Sequence, residues 1–271
     1  MRLLFIGDII GRPGREAVAR ELPRLRENLA IDFVVANGEN AAGGFGITRN
    51  VANELFATGI DVLTSGNHWL DQREILTFID QDDRILRPHN YPRGTPGRGA
   101  SLYHTRNGHR VLVINVMGRV YMDPLDDPFA TVEAELSACA LRDAADAIVV
   151  DMHAEATSEK MAMGQFCDGR VSCVIGTHSH VPTADTQILP HGTGYQTDAG
   201  ACADYDSVIG MDKFEPLQRF TKKMPSGRMS PATGPATMCA VFIETDRTTG
   251  LALRAEPVRL GGRLIPTAPV V

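Results

Sequence analysis

The chain of 271 residues lacks several features that mark particular classes of protein. Its five cysteines are odd in number and include no Cys-x-x-Cys pair, so a disulfide framework is not expected and reduced thiols are predicted. No apolar run is long enough to span a bilayer, and the first residues lack the long apolar core of a signal peptide. These absences predict a cytoplasmic protein with no membrane partner.

Basic residues are fewer than acidic residues. The chain has 27 Lys and Arg against 33 Asp and Glu, which gives a formal net charge of −6. It contains no basic run and no stretch in which basic and aromatic residues are interleaved. This balance argues against a broad nucleic-acid-binding surface, although it is compatible with a small positive pocket.

What the chain does have is an alternation of apolar runs and amphipathic segments, typical of a layered α/β fold. The strand candidates, rich in Val, Ile and Leu, are 2–7, 32–37, 61–66, 110–116, 147–152 and 171–176. The helix candidates are 14–29, 48–59 (with Thr48 as the cap), 71–80 and 129–145. From about residue 184 the short β-like pieces predict a second, more antiparallel sheet packed against the first. We expect a single domain over 1–271, since no repeat interrupts the pattern.

Polar residues follow five of the predicted strands, and four of these strand ends carry a glycine. The strand ends read "GD" (7–8), "GEN" (38–40), "GNH" (66–68), "H" (153) and "GTHSH" (176–180). Ligands of open α/β sheets bind beyond the carboxyl ends of the strands, so these side chains are expected to converge on one site.

The composition of this set is that of a metal site. It offers the carboxylates Asp8 and Glu39, the amides Asn40 and Asn67, and several imidazoles. Such mixed nitrogen and oxygen donors suit Mn, Fe or Zn, and the absence of thiolates argues against an iron–sulfur cluster. One ion takes about four to six ligands, so this many donors favours two ions that share a carboxylate over a bare pair of acid and base.

Each residue alone also has an ordinary structural explanation. Asp8 could cap the following helix, the asparagines could occupy turns, and His153 could be a hydrogen-bonded core histidine. The two histidines of "GTHSH" could lie together on a loop by chance, since the chain has eight histidines. The metal site is favoured because it would be absent only if every one of these separate explanations applied at the same time.

The ordered motifs resemble those of the calcineurin-like metallophosphoesterase superfamily. The series "GDII" (7–10), "NGEN" (37–40), "GNHW" (66–69), "MH" (152–153) and "GTHSH" (176–180) follows that family's order. The segments "PTADTQILPHGTGYQTDAG" (182–200) and "YDSVIGM" (205–211) are similar to its bacterial YmdB-type branch of phosphodiesterases and phosphatases. The resemblance implies a four-layer sandwich of two mixed β-sheets flanked by helices.

Three departures from the superfamily pattern bear on the metal. The usual D-x-H is Asp8-Ile9-Ile10, the usual bridging Asp is Glu39, and the last motif has one extra residue. Asn40 could replace the lost imidazole. A first ion with fewer imidazoles favours Mn or Fe, with Zn as the alternative.

The resemblance also implies a role for each motif residue. The first ion would be held by Asp8, Glu39, Asn40 and His180. The second would be held by Glu39, Asn67, His153 and His178, with Glu39 bridging the two. His68 would not bind metal but would protonate the leaving group or stabilise the phosphoryl oxygens. Arg12, in "GRPGR" (11–15), is a candidate substrate contact.

The expected function is therefore a dinuclear metal phosphodiesterase acting on small phosphodiesters, by attack of a metal-bridging hydroxide. The resemblance suggests cyclic nucleotides, especially 2′,3′-cyclic ones. The alternatives are a phosphomonoesterase with the same site, a catalytically silent metal-binding regulator, and a mononuclear iron oxygenase. The expected partner is a small phosphoester, and the oligomeric state is left open, with a homo-oligomer among the options.

Overall fold

The computed structural model describes residues 1–270 and contains two larger β-sheets. The first sheet has the strand order β13-β12-β1-β3-β4. Its strands are β1 (Arg2–Ile6), β3 (Phe33–Asn37), β4 (Val62–Thr64), β12 (Met238–Thr245) and β13 (Ala252–Leu260). β1, β3 and β4 are parallel to one another, whereas β12 and β13 form an antiparallel pair that joins β1.

The second sheet has the order β5-β6-β7-β8-β10-β9. Its strands are β5 (Ala100–His104), β6 (Arg110–Met117), β7 (Ala147–His153), β8 (Cys173–Thr177), β9 (Gln187–Ile188) and β10 (Gly194–Gln196). β6, β7 and β8 are parallel, and β5 pairs with β6 as an antiparallel hairpin. A small parallel pair joins β2 (Asp8–Ile9) to β11 (Ala201–Cys202).

Five helices accompany the sheets within the described residues. They are α1 (Gly11–Asn28), α2 (Arg49–Ala57), α3 (Pro128–Ala138), α4 (Thr157–Cys167) and α5 (Phe214–Lys222). α1 buries Val18, Leu22 and Leu25 at helical spacing, and α2 begins where the Thr48 hydroxyl accepts a hydrogen bond from the Val51 amide at 3.3 Å. None of the helices in this part of the chain has the length and apolar character needed to cross a membrane.

The apolar cores define four layers. Successive residues of β1 point to opposite faces: Leu4 and Ile6 pack beneath α1 and α2, whereas Leu3 and Phe5 pack against the second sheet. The outer face of the second sheet packs against α3 and α4. The predicted fold class, a four-layer sandwich of two mixed sheets flanked by helices, is confirmed. The single domain over 1–271 stays a prediction.

Several local predictions were wrong. The tail does not build a sheet of its own: β12 and β13 extend the first sheet, and β9 and β10 extend a second sheet that already contains β6, β7 and β8. Residues 71–80 form only a short 3-10 helix at Arg73–Thr77, and the helix expected over 129–145 ends at Ala138. α1 begins three residues earlier than predicted, so "GRPGR" is its first turn.

Candidate metal centre

The predicted site residues come from the same end of both sheets. Asp8 follows β1, Glu39 and Asn40 follow β3, Asn67 and His68 follow β4, His153 ends β7, and His178 and His180 follow β8. These five strands are parallel within their own sheets, and the hydrogen bonds and ion pairs described below join the residues that follow them. Seven of the eight residues are thus joined by contacts around one carboxylate, Glu39, and the eighth, Asn40, follows Glu39 in the chain.

One group of ligand atoms surrounds His153. Its Nε2 atom lies 3.0 Å from Asn67 Oδ1, 3.1 Å from His178 Nδ1 and 3.3 Å from Glu39 Oε1. Metal ligands about 2.1 Å from one ion and at right angles to each other are about 3.0 Å apart. The spacing of these four atoms therefore fits a shared cation.

A second group consists of Asp8, Glu39 and His180. One ligand atom from each lies within 4.8 Å of the others, and the same limit holds for Glu39, His153 and His178. Glu39 belongs to both groups. Two adjacent positions with one shared carboxylate are what the sequence predicts for a pair of ions.

Three buried oxygens at this point have no hydrogen-bond partner among residues 1–270. They are Asp8 Oδ1, Glu39 Oε1 and Asn40 Oδ1. The other polar atom of each of these side chains is engaged: Asp8 Oδ2 accepts from the His178 amide, Glu39 Oε2 accepts from the His68 amide, and Asn40 Nδ2 donates to the Gly44 carbonyl. Buried polar atoms are almost always paired, so unpartnered acceptors on Asp8, on Glu39 and on the residue after Glu39 fit a cation.

The electrostatics of the group also favour positive charge. Burial opposes a charge on His153, but the Glu39 and Asp8 carboxylates outweigh it and raise the pKa of His153 to about 9. Burial likewise opposes ionisation of Glu39, yet His153 and His68 lower the pKa of Glu39 to about 2. Burial and the charge of His153 lower the pKa of His178 to about 3, which keeps its ring neutral and able to bind metal.

A set of residues that the sequence analysis missed holds His153 in place. His153 Nδ1 donates to Thr177 Oγ1 at 2.9 Å, and Thr177 Oγ1 donates to Asp151 Oδ1 at 2.7 Å. Asp151 Oδ2 accepts from Asn37 and Thr64. This chain leaves Nε2 of His153 as the ligand atom, the arrangement that metal-binding histidines need.

The other two histidines are oriented in the same manner. His180 Nδ1 donates to the Ile209 carbonyl at 2.8 Å, so its Nε2 remains for a metal. His178 presents Nδ1 to the cluster, and its Nε2 lies 3.1 Å from Glu155 Oε2. Neither Ile209 nor Glu155 was predicted to take part.

The "GTHSH" turn adopts an unusual backbone. His178 and His180 both have positive φ angles, 97° and 64°, which non-glycine residues rarely adopt. The buried Asp198 carboxylate stabilises the turn, because it accepts from the Ser179 amide and hydroxyl and from Lys160 Nζ at 2.8 Å. Left-handed residues at this turn bring both imidazoles to the same cluster.

His68 lies beside the metal-ligand candidates. Its Nδ1 lies 2.9 Å from Asp71 Oδ2, and its ring packs against the edge of Phe45. It lines a cavity of about 270 Å³ together with Glu39, His178 and His180. Arg12 does not line this cavity and instead pairs with Glu16, so its expected substrate contact is not supported.

The model of a family described as "YmdB-like protein" matches residues 4–258. This chain belongs to the YmdB-like family. The chain is 44% identical over 258 residues to a Bacillus subtilis protein named 2′,3′-cyclic-nucleotide 2′-phosphodiesterase, and the match covers 95% of this chain and 96% of that protein.

Two solved structures are similar over nearly the whole chain. A hypothetical protein from Thermus thermophilus has a TM-score of 0.89 and 41% identity, and the match covers 97% of this chain and 100% of that one. A novel phosphatase from Mycoplasma pneumoniae has a TM-score of 0.89 and 29% identity, covering 96% and 93%. Membership of the YmdB-like family confirms the predicted resemblance and the predicted enzyme class, a phosphoric ester hydrolase.

Proposed function

We propose that this protein is a dinuclear metal-dependent phosphodiesterase that hydrolyses small phosphodiesters, with 2′,3′-cyclic nucleotides as the leading substrates. The observation that carries the proposal is the pair of ligand groups that share Glu39, together with the buried, unpartnered oxygens of Asp8, Glu39 and Asn40. The activity for which the Bacillus subtilis relative is named supports the choice of cyclic nucleotides.

Asp8, Glu39, Asn40 and His180 would hold the first ion. Glu39, Asn67, His153 and His178 would hold the second, with Glu39 shared between them. When bound, two divalent cations supply Lewis acidity that activates water and offsets charge on a phosphoryl group. The mixture of carboxylate, amide and imidazole donors favours Mn or Fe, with Zn as the alternative.

His68 is the residue best placed to donate a proton to the leaving group. Asp71 engages Nδ1 of the ring and fixes its orientation, so Nε2 is the ring atom left to face a substrate in the cavity. A protonated imidazole held in this orientation can donate a proton from Nε2. We assign His68 the protonation of the leaving oxygen, an effect worth about 10²–10⁴-fold for a well-placed acid.

A phosphomonoesterase with the same site is the second candidate, because the Mycoplasma pneumoniae neighbour is described as a phosphatase. Side chains that grip a terminal phosphate would favour that activity. Among residues 1–270 no lysine or arginine lines the cavity, which favours the diester. A silent regulator is disfavoured because His68 is present and held by Asp71.

The test is hydrolysis of 2′,3′-cyclic AMP by protein stripped of metal, with and without added Mn²⁺. We expect metal-dependent cleavage, reduced about 10²–10⁴-fold in His68→Ala. His104→Ala is the matched control, since His104 is an exposed histidine at the end of β5, in the hairpin that joins it to β6. Metal content, measured by mass spectrometry, should be unchanged in both variants.

Two results would contradict the proposal. If no metal supports diester cleavage while a phosphomonoester is hydrolysed, the second candidate is correct. If neither ester is hydrolysed although two ions are bound per chain, the protein is a regulator.

A further inference from the structure

Glu155 is a charged residue at the mouth of the proposed active site that the mechanism above does not use. It follows the last residue of β7, His153, by two positions, and its side chain is 52% exposed. Its Oε2 lies 3.1 Å from His178 Nε2, and the residue lines the same cavity as His68. A carboxylate thus forms part of the wall of the cavity in which a phosphoester would bind.

A negative charge at this position works against the binding of any anion. No lysine or arginine within residues 1–270 lines the cavity, so no basic side chain there offsets this charge. Lys160, on α4, is buried in its ion pair with Asp198 and bonds to that carboxylate instead. Glu155 therefore adds a repulsion that each substrate experiences in proportion to its own charge.

The two candidate substrate classes differ in that charge. A phosphodiester carries one negative charge at neutral pH. A phosphomonoester carries close to two, because its second proton is lost near pH 6. A fixed carboxylate therefore penalises a monoester about twice as strongly as a diester at the same distance.

We propose that Glu155 is a specificity-determining residue that disfavours phosphomonoesters relative to phosphodiesters. The inference rests on the proposed function and deepens it, since it names the feature that separates the two candidate activities. It does not depend on which divalent metal is bound, because Mn²⁺, Fe²⁺ and Zn²⁺ carry the same charge and the repulsion from Glu155 is added to the same attraction.

The test compares wild-type protein with Glu155→Gln, which keeps the size of the side chain and an oxygen able to accept from His178. The control is Glu133→Gln on α3: it removes the same charge from a side chain that is 46% exposed and pairs with Arg170, away from the cavity. The substrates are bis(p-nitrophenyl) phosphate and p-nitrophenyl phosphate, which share a leaving group. Each protein is loaded with Mn²⁺, and its metal content is measured.

We expect Glu155→Gln to raise the monoester-to-diester ratio of kcat/KM by about three- to tenfold at low salt, as for one unit charge removed several ångströms from a partly solvated site. The change should shrink at high salt, where exposed charges are screened. In calorimetric titrations inorganic phosphate should bind Glu155→Gln more tightly by a similar factor. Glu133→Gln should leave the ratio and the phosphate affinity unchanged.

Three outcomes would overturn the inference, and they are distinguishable. If wild-type protein cleaves the diester but Glu155→Gln leaves both the ratio and phosphate affinity unchanged, the charge of Glu155 does not select substrates. If Glu155→Gln loses metal and both rates fall together, the residue acts by positioning His178. If wild-type protein cleaves no diester with any metal, the proposed function itself fails.

Discussion

Replacing Gly66 with alanine should disrupt the candidate metal centre, although Gly66 is not itself a ligand. Gly66 lies between β4 and Asn67. A Cβ atom there would come closer than 3.0 Å to both His153 Nε2 and Glu39 Oε2, a separation that real Cβ atoms do not show. Normal van der Waals separation is about 3.5 Å, so both side chains would have to retreat by on the order of 1 Å.

That displacement sets the size of the effect. Both ligand side chains are buried and packed, so the added methyl should lower the free energy of unfolding by about 1–3 kcal/mol. Displaced ligands should weaken metal binding by about 10–100-fold, comparable to the loss of a group that orients a ligand. Hydrolysis should fall by about 100-fold or more, since an error in position of about 1 Å has that effect.

The assays are metal content after dialysis against a graded chelator, urea unfolding of the metal-free protein, and ester hydrolysis. Gly164→Ala, on α4, is the control for steric strain, since its Cβ would lie 2.6 Å from the Tyr195 ring. Gly227→Ala is the control for an open position, since no atom lies within 4 Å of its Cβ. Gly164→Ala should lose stability but keep its metal, and Gly227→Ala should lose neither. A Gly66→Ala protein that retained two ions and wild-type activity would refute the assignment of Glu39 and His153 to a common ion.

Three further predictions test the surroundings of the site. Thr177→Val removes the hydroxyl that accepts from His153, so metal affinity in chelator competition should fall about 10–100-fold while the fold is retained. Lys160→Met leaves its buried carboxylate partner unpaired, so urea unfolding should show a loss of about 3–5 kcal/mol. Hydrogen bonds from Arg110 lower the pKa of Asp146 from 3.8 to about 2. The stability that this pair provides is present above about pH 4 and is lost as the pH falls toward about 2. The thermal midpoint of Asp146→Asn should therefore depend less on pH in that window than the midpoint of wild-type protein does.

The ends of the parallel strands could be predicted from the sequence because the signals there are local. An apolar run that stops at a glycine followed by a carboxylate, amide or imidazole indicates both the end of a strand and a ligand for a site. The structure also gives a reason for the glycine at three of these ends, since a Cβ at Gly7 would overlap the Gly200 carbonyl. A Cβ at Gly66 would overlap His153 and Glu39, and one at Gly176 would overlap the Thr197 carbonyl.

The division of strands between the two sheets could not be predicted in the same way. β1 pairs with β12 although the two lie at opposite ends of the chain, and both are apolar on both faces. A strand buried on both faces carries no local pattern that says which neighbour it takes. The sequence therefore predicts a separate sheet for the tail, whereas the longest strands of the tail complete the first sheet.

The residues that hold the ligand side chains in place are harder to predict, because their hydrogen bonds join strands far apart in the sequence. One of them, Asp151, can nevertheless be recognised from the sequence. Asp151 is a carboxylate inside the apolar run of β7, and a buried charge without a partner is rare. Such a residue must be bonded by neighbouring strands, and here Asn37, Thr64 and Thr177 supply those bonds from β3, β4 and β8. Two of these strands belong to the first sheet and one to the second, so Asp151 joins the two sheets directly beneath the ligands. In this chain the acidic residue within the apolar run of β7 marks the place where the two sheets meet. It also marks His153, two residues farther along, as the histidine that its hydrogen bonds orient toward the candidate metal site.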